Sequence, residues 1–214
     1  MNSQHARYVL PPCAIPSIPW VALWLDGCNV SSQLIYQKQT LRNRYALAGV
    51  NGLIWLSIPV ESTQGKPTPF HDIKIAGNLW KRVHWKTIQS SYARAAYWDH
   101  YSPGLQQIFA AEHILLTDLF DDMIQWIRLS GVQTQTMQGG FRNHQAPQCD
   151  VWDPSFTWPD QTPYPQVFSD RHPFQHNLSV IDLLMNLGPK SALYLEKVLI
   201  SMNSLFTRHP SQDY

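Results

Sequence analysis

Charge is scarce in this 214-residue chain: Asp, Glu, Lys and Arg together make up 14% of it, and 16 basic residues nearly cancel 15 acidic ones. So balanced a sequence has no global field to draw it to nucleic acid or an anionic membrane, and any polyanion must be met by a local cluster. Cysteine is scarce too. Cys13, Cys28 and Cys149 are odd in number and none stands in CxxC spacing, which argues against a disulfide framework or a structural zinc site and fits a reducing compartment. No uninterrupted apolar run approaches the ~20 residues needed to cross a bilayer, and the polar start over residues 1–7 leads into prolines that a secretory h-region would not tolerate. A soluble, cytoplasmic protein without a membrane span is expected. GxGxxG, a Walker loop, HExxH and GxSxG are all missing, so dinucleotide, P-loop NTPase, zincin and α/β-hydrolase readings lose their usual marks. His71 and Asp72 form a polar pair that no second ligand motif faces, so no metal is expected, and no cofactor.

Aromatic residues and proline are plentiful: nine Trp, nine Tyr, eight Phe and 16 Pro, in a chain 44% hydrophobic. That suffices to bury a substantial core, and a single domain over residues 1–214 is the expectation. Residues 8–10 read as a strand, the prolines at 11, 12, 16 and 19 as a stiff loop, and residues 20–25 as a short helix. Residues 28–35 suit a second strand and 36–44 a polar loop or exposed strand edge. Asn51-Gly52 signals a turn before the apolar, β-rich residues 53–60. The alternation Ile73-Lys74-Ile75 suits a half-buried strand.

The second half is helical in pattern. Trp80, Val83, His84, Ile88, Ser91 and Tyr92 recur at helical spacing over residues 79–97; Ser102-Pro103 opens a helix to Phe109, and Thr117-Asp118 caps another that ends at Gly131. Residues 139–163 read as a long loop, residues 179–187 as a last apolar helix stopped by Gly188-Pro189, and the tail after residue 207 as frayed. The fold class predicted is α/β, with a central mixed or mainly parallel sheet from the first half covered by helices of the second; α+β is the alternative.

Three polar clusters are candidates for chemistry. Lys38, Arg42 and Arg44 place three cations within nine residues, beside the amides of Gln37 and Asn43. Arginine forms planar bidentate contacts with phosphate, and the competing reading is a solvated basic face. On the helix of residues 79–97, His84 shares a face with Trp80, and Trp85 and Tyr92 lie on an adjacent one. A histidine there suits a general base, or equally a buried, hydrogen-bonded core residue. The third cluster holds Gln166, Asn177, Asp182 and Asn186, in which Asp182 pairs with one of the arginines, lines a pocket or suits the positive end of its helix. Cys13 reads as a packed thiol.

In order and density, several of these segments resemble the WbqC-like family: the proline-rich stretch of residues 10–20, YQKQTxRNR at 36–44, NGxxWLSIPV at 51–60, DIKI at 72–75, WKRVHWKTIQSSYxRAAYW at 80–98, YPQVF at 164–168 and NLSVIDLLMNLGP at 177–189. The resemblance covers about residues 8–190. It implies a transferase of surface-polysaccharide or O-antigen biosynthesis that moves an amino-acyl group such as glycyl, or another small group, onto an amino sugar or sugar nucleotide. The alternative is a noncatalytic sugar-nucleotide or glycan-binding partner of an assembly complex. Many members begin with a HQPxYLPW-like motif whose His and Tyr are missing here, which makes His84 and Asp182 the catalytic candidates. Gln37, Lys38, Arg42, Asn43, Arg44, Trp85, Tyr92, Gln166, Asn177 and Asn186 are the substrate-binding candidates. The partners expected are a small sugar or sugar-nucleotide ligand, with a second copy of the chain or glycan-assembly enzymes as protein partners, and no nucleic acid.

Overall fold

A computed structural model of the chain describes residues 9–132 and 162–208, with side chains as far as residue 202. The N-terminal strand β1 (Val9–Leu10) runs parallel to β2 (Asn29–Val30), and the crossover between them carries helix α1 (Ile18–Leu25). Ser17 caps α1 by accepting from the Trp20 amide, and Pro19 falls in its first turn, where its missing N–H costs nothing. The Trp20 indole N–H donates to the Pro11 carbonyl at 2.8 Å, which folds the proline-rich loop back onto the helix.

Strands β3 (Arg44–Gly49) and β4 (Gly52–Ser57) form an antiparallel hairpin, from the Arg44–Ser57 pair at one end to the Gly49–Gly52 pair at the other. The turn expected at Asn51-Gly52 is there, with Gly52 at φ 101°. β3 itself is buried from Tyr45 to Gly49, so both its faces are covered, whereas β4 is half-exposed.

Mixed helix and strand content is as expected, but the central sheet is not found: among the described residues the strands form two separate two-stranded sheets. Prolines explain much of this. Pro11 and Pro12 stand directly after β1 and Pro59 two residues past the end of β4, and none can extend a ladder. Single bridges pin the remaining extended segments: Ser17 to Ser179, Ile35 to Pro69, Val60 to Ile75 and Lys74 to Leu115. The 73–75 segment still buries Ile73 and Ile75 while exposing Lys74, as its alternation predicts.

The helices are α2 (Leu79–Tyr92), α3 (Trp98–Ala110), α4 (Leu116–Leu129), α5 (Val180–Leu187) and α6 (Ser191–Arg208). α2 buries Trp80, His84, Ile88, Ser91 and Tyr92, while Val83 faces outward. α3 begins before Pro103, which lies in its interior; the helix tolerates the missing N–H and turns Tyr101, Leu105, Ile108 and Phe109 inward. The Asp118 carboxylate accepts from the Leu115 amide at 2.9 Å, closing the start of α4, and Gly131 at φ 76° follows its end. α5 is buried from Val180 to Met185 and packs against α1, α3, α6 and β3. No described helix is long and apolar enough to cross a membrane. Most of the loop expected at 139–163, and the tail after 208, lie outside the described residues.

Candidate functional site

A cleft of about 420 Å³ opens at the Arg44–Ser57 end of the hairpin, lined by Tyr36, Lys38, Asn43, Arg44, Ser57 and Glu61, among others. Its shape comes from the polar 36–44 run. The Tyr36 amide donates to the Thr68 carbonyl at 2.8 Å, Gln39 takes a left-handed φ of 62°, and the Thr40 hydroxyl donates back to the Gln37 carbonyl at 2.8 Å. Asn43 is clamped: its Nδ2 donates to the Ile58 carbonyl at 2.9 Å, and its own carbonyl accepts from the Ile58 amide. The Arg44 guanidinium lies 5.2 Å over the Trp55 ring, a cation–π contact that holds it against β4. Two buried atoms in this wall, Asn43 Oδ1 and Arg44 Nε, have no hydrogen-bond partner. Unmet polar groups are costly inside a protein, and here they adjoin the positive charge of Lys38 and Arg44.

Arg42 and Gln37 take other places. Gln37 is exposed and does not line the cleft. Arg42 is 6% exposed; its Nη1 donates to the Ile35 carbonyl while Nε has no partner, and its backbone carbonyl accepts from the Ala14 amide. Burial lowers its pKa, and no acidic side chain pairs with it among the described residues. Cys13 and Tyr36 lie within its field. Burial nevertheless raises the Cys13 thiol, and pushes Tyr36 up to about 12 against the pull of the guanidinium. Cys13 is therefore an inert, packed thiol.

His84 sits behind the cleft wall, 4% exposed. Its Nδ1 lies 3.0 Å from the Tyr45 hydroxyl, it hydrogen-bonds the backbone of Ser57, and the Tyr45 and Trp80 rings meet it edge-on at 5.6 and 5.0 Å. Burial lowers its pKa to about 4, so the ring is neutral at physiological pH. Trp85, on a different face of α2, is half-buried and stacks on Trp98 at 5.8 Å.

Asp182 is fully buried and accepts from the Tyr164 hydroxyl. Tyr92, Asn186 and Gln166 also hold it electrostatically, but none reaches its Oδ1 with hydrogen-bond geometry. Burial outweighs these donors and raises its pKa to about 6. The Tyr92 hydroxyl accepts from the Ala48 amide at 3.0 Å, which places this cluster under the far part of β3. Ala48 is four residues beyond Arg44, roughly 13 Å along a strand. Asn177, at φ 55°, precedes α5 by three residues. Gln166 exchanges hydrogen bonds of 2.9 Å with the Gln175 backbone in both directions, and Asn186 donates to the Asp182 carbonyl at 2.8 Å. Gln166 and Asn186 line a second cleft, whereas Lys38, Asn43 and Arg44 line the first and the other sequence candidates line neither.

Tyr36, Ser57 and Glu61 were not singled out in the sequence, nor were Arg94 and Arg171 of the second cleft. Their signal was positional: residues 57–62 follow the clearest strand, and Arg94 follows the helix that carries His84.

No solved structure matches this chain. Over 100 residues it is 25% identical to an uncharacterized protein of Mycobacterium tuberculosis, Rv1507c; the alignment takes in 44% of this chain and 43% of that protein, so less than half of the relative's length is spanned. The model of one family matches residues 25–138 and 150–194, which include the lining of both clefts. On that match the chain belongs to the WbqC-like protein family.

Proposed function

We propose that the cleft at the Arg44–Ser57 end binds the phosphate of a sugar phosphate or sugar nucleotide, and that the protein transfers an amino-acyl or other small group to it during surface-polysaccharide assembly. One observation carries the binding reading: Lys38 and Arg44 flank a single cleft whose wall also holds the unpartnered Asn43 Oδ1 and Arg44 Nε. A phosphate accepts from the charged groups of Lys38 and Arg44. Arg42 supports the 36–44 segment from beneath through Ile35 and adds its charge to the local field. The transferase step rests on the family resemblance.

A noncatalytic sugar-nucleotide-binding role is the second reading, and the burial of His84 and Asp182 favours it, because neither side chain reaches a ligand without rearrangement. Calorimetric titration with uridine- and guanosine-diphosphate sugars tests the binding claim. Lys38→Ala and Arg44→Ala are each expected to weaken binding about tenfold, the ~1.4 kcal/mol of a charge-assisted contact. Affinity unchanged in both variants would count against this cleft. Turnover by the wild type in the presence of an acyl donor separates the enzyme from the binder.

A further inference from the structure

The second cleft, about 290 Å³, lies between the turn that follows α2 and the segment of residues 165–171, with Asn186 of α5 also lining it. Its volume suits a small metabolite rather than a dinucleotide. Arg94 and Arg171 line it, with Asp170 as the accompanying acid, so its charged lining is net positive. Arg171 Nε stands 3.6 Å from Asp170, while Arg94 makes no ion pair among the described residues. Gln166 contributes polar lining and Phe168 an apolar wall.

The walls are tied down. The Ala95 amide donates to the Tyr92 carbonyl at 2.8 Å and the Tyr97 amide to the Met185 carbonyl at 3.0 Å, which fixes the Arg94 turn to α2 and α5. Across the cleft, the Ser169 and Arg171 amides donate to the carbonyls of Gln166 and Phe168, and the reciprocal Gln166–Gln175 pair anchors that segment. Below Gln166 and Asn186 sits the Asp182 carboxyl, fully buried, with Oδ1 lacking a hydrogen-bond partner. The wall amides are already spent on protein carbonyls, so recognition falls to the two exposed guanidinium groups, whose net positive charge suits a small oxyanion.

We propose that this cleft is a second ligand site, which takes the phosphate or carboxylate group of a small metabolite between Arg94 and Arg171. The site stands independently of the reading of the first cleft. NMR spectroscopy of the full chain, titrated with inorganic phosphate at constant ionic strength, tests it. The expected result is saturating shifts at the amides of Ala95, Ala96, Val167 and Phe168, with affinity at least tenfold weaker in Arg94→Ala and unchanged in Lys38→Ala. A parallel titration with acetate distinguishes the sources: tighter phosphate binding assigns a phosphorylated metabolite, and tighter acetate binding a carboxylate. Shifts that fail to saturate with either anion, that survive Arg94→Ala undiminished, or that are confined to residues 36–62 overturn the proposal. Loss of the first cleft's ligand in Lys38→Ala, with this site intact, keeps the two readings apart.

Discussion

Asp182 and His84 are buried without a partner of opposite charge, and each makes stability depend on pH in its own direction. The folded pKa of Asp182, about 6, lies above its ordinary value of 3.8. The folded state therefore holds the extra proton between those values; the contribution to stability is complete below about pH 4 and is lost as pH rises through 6. The scale is about 3 kcal/mol. In melts of Asp182→Asn, the melting temperature relative to wild type should climb between pH 4 and 7.5; parallel curves would show that the carboxyl does not titrate in this way. His84 has the opposite sign. With its folded pKa depressed from 6.5 to about 4, the stability it confers is complete above 6.5 and is lost as pH falls through 4, again about 3 kcal/mol. His84→Gln should remove that loss. The sequence offered His84 for chemistry or the core and Asp182 for a pocket, an arginine partner or a helix end, but burial decides between such roles and depends on the strand and helices that cover them.

Gly188 and Gly131 follow helices α5 and α4, both at positive φ, yet their surroundings differ. A Cβ on Gly188 would stand 2.5 Å from the Tyr97 ring, whereas one on Gly131 would meet nothing within 4 Å. Gly188→Ala is expected to cost about 2–4 kcal/mol, combining left-handed strain with a clash, and Gly131→Ala about 1 kcal/mol. Urea denaturation of the two variants measures the difference, and equal costs would refute it. Both stop signals were legible because glycine at a helix end has a local cause. β3 was not legible: Ala46, Ala48 and Gly49 have weak strand preference, and the strand depends on hairpin pairing and on packing against α2 and α5. Gly49 is small for a reason, since a Cβ there would lie 2.2 Å from Ile54 Cδ1 across the hairpin. Pro103 misled in the other direction, because proline's preference for a helix start yields when the buried face of α3 extends past it.

At the scale of the molecule, the polar clusters were legible as clusters but not as two separate places. Residue order alone does not reveal that the Tyr45 end of β3 meets His84 while Ala48 meets Tyr92; the hydrogen bonds of the folded strand do. The separation carries a prediction. Sites more than ~7–10 Å apart that share no partner usually add their effects. The rise in melting temperature from a sugar nucleotide in the first cleft and an anion in the second should therefore be additive, and a joint shift well above the sum would reveal coupling through β3. The buried pair beneath the hairpin has a further consequence for heat measurements. Near pH 5 the folded chain keeps one proton on Asp182 and none on His84, and the unfolded chain keeps one on the histidine and none on the aspartate. Folding thus carries a proton from imidazole to carboxyl without taking one from solvent, so at that pH the pair leaves the unfolding enthalpy independent of the buffer's heat of ionisation.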